Sequence, residues 1–347
     1  MGPNASKGLR SSPVLFRPLR GWVNVSSIIG GGFALALQGK LNAIKRHISP
    51  KRRVGKSISY ASYIDTSCAT KVRKRRPRQV LDVYAPAQFS ALAPVFVFFH
   101  GGTWTFFSKE HFTLLGERLA EQGFVVVIPS YTCFPDGMVD DQVAELDGVM
   151  KWTAACIDRF GGDPKSVFLS GQSSGAHITS LWTLRKLRAR FPNPPNDDDL
   201  LPCGTVFMSG AFDPAEQEKW ERGRGVADIS PLTIACYLDI QGPHDSVNST
   251  ALAREFGTYF PPSLILTGSN DSVVSPRMSE EFFLALRKKS NFSSNFHVME
   301  GDDHSAYLVD MMVSETPSKW LRQIIRFCKH IKLPKTAKRP HDLRSRY

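Results

Sequence analysis

The stretch "SVFLSGQSSGAH", residues 166–177, sets Ser173 between Gly171 and Gly175 at the end of an apolar run. A serine spaced this way between glycines, with a strand before it and an amphipathic helix after it, is the pattern of a nucleophile held on a sharp turn. Side chains at 171 and 175 would collide across that turn, which is why glycine occupies both positions. The helix that starts beneath the serine aims its free N–H groups at any negative charge developing above it. A hydroxyl used this way still needs a base, a carboxylate to orient the base, and donors for an oxyanion.

The donors are expected from "FFHGGTW", residues 98–104, where Gly101 and Gly102 close an apolar strand. Glycine lets backbone N–H groups approach a substrate carbonyl oxygen unobstructed, and the N–H of Ser174 would join them. In the chain order serine, acid, histidine, Asp271 of "LILTGSNDSVVSP" and His304 of "HVMEGDDHSAYL" each stand just beyond a strand. Both would emerge at the carboxyl edge of a parallel sheet, beside Ser173. His177 points along the helix after the serine, His100 belongs to the glycine loop, His244 lacks a preceding strand, and His297 lies inside one. Asp302 and Asp303 are too near His304 in the chain to reach its ring freely. Chemistry of this kind requires no metal and no cofactor.

The elements that would position these residues alternate. "PVFVFFH" (94–100), "FVVVIPSY" (124–131), "SVFLSG" (166–171), "TVFMSG" (205–210), "SLILTGS" (263–269) and "NFHVME" (295–300) are short apolar runs, as in strands covered on both faces. Earlier, "SISYASYI" and "RQVLDVYAP" alternate apolar and polar residues and suggest a hairpin-like antiparallel edge. Between the runs, Val139, Val143, Leu146, Met150 and Ile157 fall near one helical face. Ala176, Ile178, Leu181, Leu184 and Leu187 repeat the pattern, as do Leu284 with Leu286 and then Trp320, Ile324 and Phe327. Strand and helix in alternation predict an α/β fold with a mostly parallel sheet between two helical layers. Residues 211–260 are too long for a simple crossover and are expected to form a cap over the serine. Trp104 and Trp220 are candidates to line the substrate pocket, and Phe256 of the cap is a further one.

The net charge of +12 is unevenly spread. Residues 1–78 carry 17 Lys or Arg and one acid, Asp65, leaving 27 basic and 31 acidic residues in the remainder. The basic character is therefore that of an arm, and nucleic-acid binding by the folded domain gains no support from it. Residues 1–56 contain no acid, and "GWVNVSSIIGGGFALALQG" within them is moderately apolar. An import presequence, a weak membrane anchor and a disordered basic arm all fit that composition. The division expected is an arm over 1–56, a catalytic domain over 57–331 and a basic tail over 332–347. Six scattered cysteines lack metal-site spacing and read as reduced thiols in an intracellular protein.

These motifs resemble the α/β-hydrolases of the HGG-motif esterase and lipase group, and more narrowly their isoprenylcysteine methylesterase-like branch. The residues that carry the resemblance are "LDVYAP", "HGGTW", "SYTCFPDG", "RFGGDPKSVFLSGQSSGAH", "GSNDSVVSP" and "GDDHS", in that order over about residues 80–310. The resemblance implies Ser173 as nucleophile, His304 as general base, Asp271 as its orienting acid, and Gly101, Gly102 and Ser174 as oxyanion donors. It implies a serine carboxylic-ester hydrolase acting through an acyl-enzyme on a small-molecule ester, a prenylcysteine methyl ester or another small apolar one. An arylformamidase-type amidase and a non-catalytic ligand-binding protein on the same scaffold are the alternatives. A membrane-associated location of the endoplasmic-reticulum type follows from the resemblance, with organelle import through the arm as the other reading.

Overall fold

The computed structural model describes residues 51–65, 78–88, 90–223, 244–314 and 316–331. Most of the arm, the middle of the cap (224–243) and the tail lie outside the described residues, and so do the expectations placed on them. The strands are β1 (Arg53–Ser59), β2 (Val80–Tyr84), β3 (Ala93–Phe99), β4 (Val125–Pro129), β5 (Gly162–Gln172), β6 (Gly204–Met208), β7 (Ser263–Gly268) and β8 (Ser294–Met299). They form one sheet in the order β1-β2-β4-β3-β5-β6-β7-β8. From β4 to β8 every neighbouring pair is parallel, whereas β2 runs antiparallel to both β1 and β4.

The helices are α1 (Thr113–Glu121), α2 (Val139–Cys156), α3 (Ser174–Arg190), α4 (Pro214–Gly223), α5 (Ser249–Phe256), α6 (Pro276–Lys289), α7 (Ala306–Val313) and α8 (Lys319–His330). Side chains alternate across a strand, and β3 shows what that does to an apolar run. Val95, Val97 and Phe99 join a core with α2, α3, α5 and α6, while Phe96 and Phe98 join a second core with α1, α7 and α8. Two covered faces explain why β3 and β4 are apolar at every position. This is the α/β-hydrolase arrangement that the sequence resemblance implies.

Three local expectations change. "SISYASYI" is a strand only to Ser59; Ala61–Tyr63 turn into a short 3-10 helix, because Tyr60 and Ile64 both bury on one side. "NFHVME" is the outer strand β8, paired with β7 alone on its inner side, and Val298 stands 42% exposed. Leu284 lies on α6 but is 49% exposed, and Phe282, Ala285 and Leu286 supply the buried face instead. Among the described residues, no helix is long and apolar enough to cross a membrane.

Candidate active site

Parallel strands deliver whatever follows them to one edge of the sheet. Ser173 follows β5 directly and caps α3, with φ 54° and ψ −122°. A non-glycine residue in this region is strained, and such strain persists only where surrounding contacts enforce it. The Ser173 N–H donates to the Met208 carbonyl at 2.9 Å, and its own carbonyl accepts from His177 N–H at 3.2 Å. A Cβ on Gly171 would strike the Gly175 carbonyl, and one on Gly175 would strike the carbonyl oxygens of Phe99 and His100. The two glycines thus bring strand, turn and helix into backbone contact, and that contact holds Ser173 in place.

The loop after β3 lies alongside. A methyl on Gly101 would sit 3.0 Å from the Ser173 Cβ, so the expected oxyanion loop and the serine are immediate neighbours. Gly102 has φ 121°, and Thr103, Trp104 and Phe107 also adopt positive φ, at 50°, 61° and 70°. Several contacts hold this strained segment. The Tyr131 hydroxyl donates to the His100 carbonyl at 2.9 Å, and its ring stacks on the His100 ring at 4.4 Å. Arg78 Nε donates to the Tyr131 carbonyl at 2.8 Å, and the same guanidinium reaches the Phe107 carbonyl. The His100 Nδ1 bonds the Gly101 carbonyl at 2.8 Å, and burial lowers the imidazole from its ordinary 6.5 to about 3, keeping it neutral.

Trp104 is buried at the same place, and its indole N–H donates to His177 Nδ1 at 3.2 Å. His177 in turn donates from Nε2 to the Val247 carbonyl at 2.7 Å, and burial lowers it to about 4. His177 therefore ties the loop after β3 to the segment just before α5.

Asp271 and His304, buried after β7 and β8, meet as a pair, with Oδ2 2.7 Å from Nδ1. The other carboxylate oxygen accepts the N–H groups of Val273 and Val274, both at 2.9 Å. The rival carboxylates are occupied: Asp302 accepts from the Trp320 indole and pairs with Lys319, and Asp303 caps the start of α7 through the N–H groups of Ser305 and Ala306. Trp220, on α4, donates to the carbonyl of Ser272 at 3.2 Å, and Gln217 of that helix donates to the Val273 carbonyl at 3.0 Å. Helix α4 is thus fastened to the loop that carries Asp271.

One contact joins the two halves of the site. Gln172 Nε2 lies 3.2 Å from His304 Nε2, linking the residue before the serine to the histidine. Neither Gln172 nor Tyr131 carries a role in the sequence reading. Gln172 occupies the free position of the glycine–serine motif, and Tyr131 is one aromatic among several; residue type alone singles out neither. Among the described residues, no cluster of three or more His, Cys, Asp or Glu could hold a metal ion.

Residues 81–286 match the model of the BD-FAE family. A probable isoprenylcysteine alpha-carbonyl methylesterase of Oryza sativa subsp. japonica is 26% identical over 77% of the chain and 64% of its own length. Across the methylesterase relatives of Oryza sativa and Arabidopsis thaliana, the alignments span 25% to 64% of the relative. The kynurenine formamidase of Danio rerio is 24% identical over 68% of the chain and 73% of its own length. Among solved structures, an inhibited esterase B from Lactobacillus rhamnosis superposes with a TM-score of 0.70 at 16% identity, over 90% of this chain and 96% of that one. That likeness is one of fold.

Proposed function

We propose, from the premise that the chain belongs to the BD-FAE family, that it is a serine carboxylic-ester hydrolase with Ser173, His304 and Asp271 as its triad. The observation that carries this reading is the 2.7 Å pair between Asp271 and His304, set at the sheet edge where the strained Ser173 stands. With Nδ1–H donated to Asp271, the neutral imidazole presents the lone pair of Nε2 as the base.

Ser173 Oγ attacks the ester carbonyl carbon while its proton passes to His304 Nε2. The carbonyl oxygen becomes an oxyanion, and the N–H groups of Gly101, Gly102 and Ser174 stabilise it. His304 returns the proton to the departing alkoxide as the C–O bond breaks, leaving an acyl-serine. Water then adds to that acyl group with His304 again as base, and the carboxylic acid leaves with Ser173 restored. The substrates proposed are small apolar esters. The likeness to the Oryza methylesterase supports prenylcysteine methyl esters among them, with Trp220 beside the Asp271 loop as a contact residue.

The test is labelling by a fluorophosphonate, which forms a stable bond to an activated serine. The parent protein is expected to label, and Ser173→Ala and His304→Ala are not; no labelling of the parent overturns the proposal in favour of a binding protein. A panel of p-nitrophenyl esters, a prenylcysteine methyl ester and an N-formyl aryl amine then separates substrates. The likeness to the Danio formamidase favours a second reading, amide hydrolysis at the same triad; preferred turnover of the formamide would establish it. For the arm, membrane contact or import is proposed, and fractionation of cells carrying the chain with and without residues 1–56 distinguishes the two. An unchanged distribution overturns both.

A further inference from the structure

We propose that Gln142 is a positioning residue for the oxyanion donors, fixing the loop after β3 through a hydrogen bond to the Trp104 carbonyl; the role depends on the esterase reading above. Gln142 stands near the start of α2 and is fully buried. Its Nε2 donates to the carbonyl of Trp104 at 3.0 Å and to that of Thr132 at 3.1 Å. Both neighbours are acceptors only, so the amide nitrogen must occupy that side of the group.

The loop is held at both ends, and its two glycines lie between the holds. At its start, the His100 carbonyl accepts from the Tyr131 hydroxyl at 2.9 Å. Further on, the Trp104 carbonyl accepts from the Phe134 N–H at 2.9 Å as well as from Gln142. Gly101 and Gly102, whose N–H groups would meet the oxyanion, are spanned by these two points. Tyr131 and Phe134 both belong to the segment after β4, and that segment is fastened to α2 in turn. Glu145, three residues on from Gln142 and also buried, accepts the Thr132 N–H and hydroxyl, both at 2.6 Å. Gln142 thus joins loop, segment and helix through one nitrogen.

Satisfying a buried carbonyl takes one donor, and the Phe134 N–H already supplies one to Trp104. A second donor, arriving from another element, fixes the direction of that carbonyl. Direction matters because Gly102, Thr103 and Trp104 hold φ of 121°, 50° and 61°. Such values at residues with a Cβ persist only where the surroundings over-determine them. The Trp104 indole is gripped as well, by His177 on α3. With its carbonyl held from α2 and its ring from α3, Trp104 has little room to relax, and the N–H groups two and three residues earlier keep their aim. Glutamine at this place also carries a cost. Its Oε1 is buried with no partner among the described residues, a cost that an apolar side chain of equal length would avoid. What that side chain would lose is the pair of donations.

The experiment compares the full parent chain with Gln142→Met and Gln142→Glu in fluorophosphonate labelling over a range of probe concentrations. Ser173 Oγ bonds to phosphorus, fluoride leaves as the P–F bond breaks, and the serine proton passes to His304. The phosphoryl oxygen takes the place of the oxyanion, so the maximal labelling rate reads the donors. The half-saturating probe concentration reads ground-state binding. Met keeps the length without a donor, so the maximal rate should fall about tenfold while the half-saturating concentration stays within about twofold. Glu, kept protonated by burial beside the Glu145 carboxylate, retains one O–H donor, and its maximal rate should fall about threefold. Thermal melts show which variants are folded; Met decides where it folds, and Glu where it does not. A parental maximal rate in the deciding variant overturns the role of Gln142 and leaves the esterase reading in place, as does a change confined to the half-saturating concentration. Failure of both variants to fold makes Gln142 a requirement of the fold and also overturns the role. No labelling of the parent overturns the role and the esterase reading together.

Discussion

Asp271 Oδ2 stands 2.7 Å from His304 Nδ1 while Asp271 Oδ1 takes two backbone N–H groups, so neither oxygen is free to exchange its role with the other. In Asp271→Asn, the amide oxygen must remain on the N–H groups of Val273 and Val274, which turns the NH2 toward His304. Nδ1 then becomes an acceptor, Nε2 carries the proton, and the base is lost. The expected fall in kcat/KM is about 10³–10⁴-fold, the size of a wrong-tautomer defect, with the urea midpoint lowered far less. Activity within tenfold of the parent excludes Asp271 as the orienting acid.

Gly175→Ala tests the turn rather than the chemistry. The added methyl would meet the Phe99 and His100 carbonyl oxygens, which belong to β3 and the oxyanion loop and cannot rotate aside as a side chain could. A cost of about 1–3 kcal/mol or more is expected from such overpacking, read as a lower urea midpoint at unchanged m-value. Labelling of Ser173 should fall along with it. Wild-type stability in this variant would mean that the turn has more room than its backbone contacts give it.

The turn at Ser173, the glycine loop beside it and the pairing of Asp271 with His304 could be placed from sequence because each depends on a residue type that few positions tolerate. Gly171 and Gly175 are required by backbone collisions, and Asp271 and His304 each stand just after an apolar run. The supports of the site were not legible. Tyr131 lies 31 residues from His100, and Gln172 lies 132 from His304, so only the order of strands in the sheet brings them together. Periodicity likewise could not tell the edge strand β8 from an interior one, since Phe296, Val298 and Met299 look as apolar as the residues of β4. What separates them is whether another element covers the face, and that is a property of the assembled sheet.

Acid should weaken the fold through two histidines. His100 and His177 are lowered by burial to about 3 and about 4, whereas in the unfolded chain each titrates near 6.5. Below that value the unfolded state binds protons that the folded state refuses, so stability falls as pH drops from about 6.5 toward 4 and below. Between pH 6.5 and 5 the two together account for roughly 2–4 kcal/mol. Urea midpoints at pH 7.5 and 5.0 measure this, and His177→Gln should remove about half of the difference. An equal difference in parent and variant would show that His177 takes up its proton without unfolding.

Tyr131→Phe isolates the support of the oxyanion loop. The ring remains stacked on Phe99 and His100, at 5.3 and 4.4 Å, and only the hydroxyl that bonds the His100 carbonyl is removed. Stability should fall by about 1 kcal/mol, the net worth of one hydrogen bond. The kinetic effect should be larger than that figure suggests, because Gly102, Thr103 and Trp104 hold positive φ values that relax once the anchor is gone. Donors misplaced by a fraction of an ångström lose part of the 10²–10³-fold that each contributes at its best, so kcat should drop about tenfold with KM nearly constant. A rise in KM at constant kcat would instead place the Tyr131 hydroxyl in ground-state binding, since donors that act only on the oxyanion leave the bound ester unaffected.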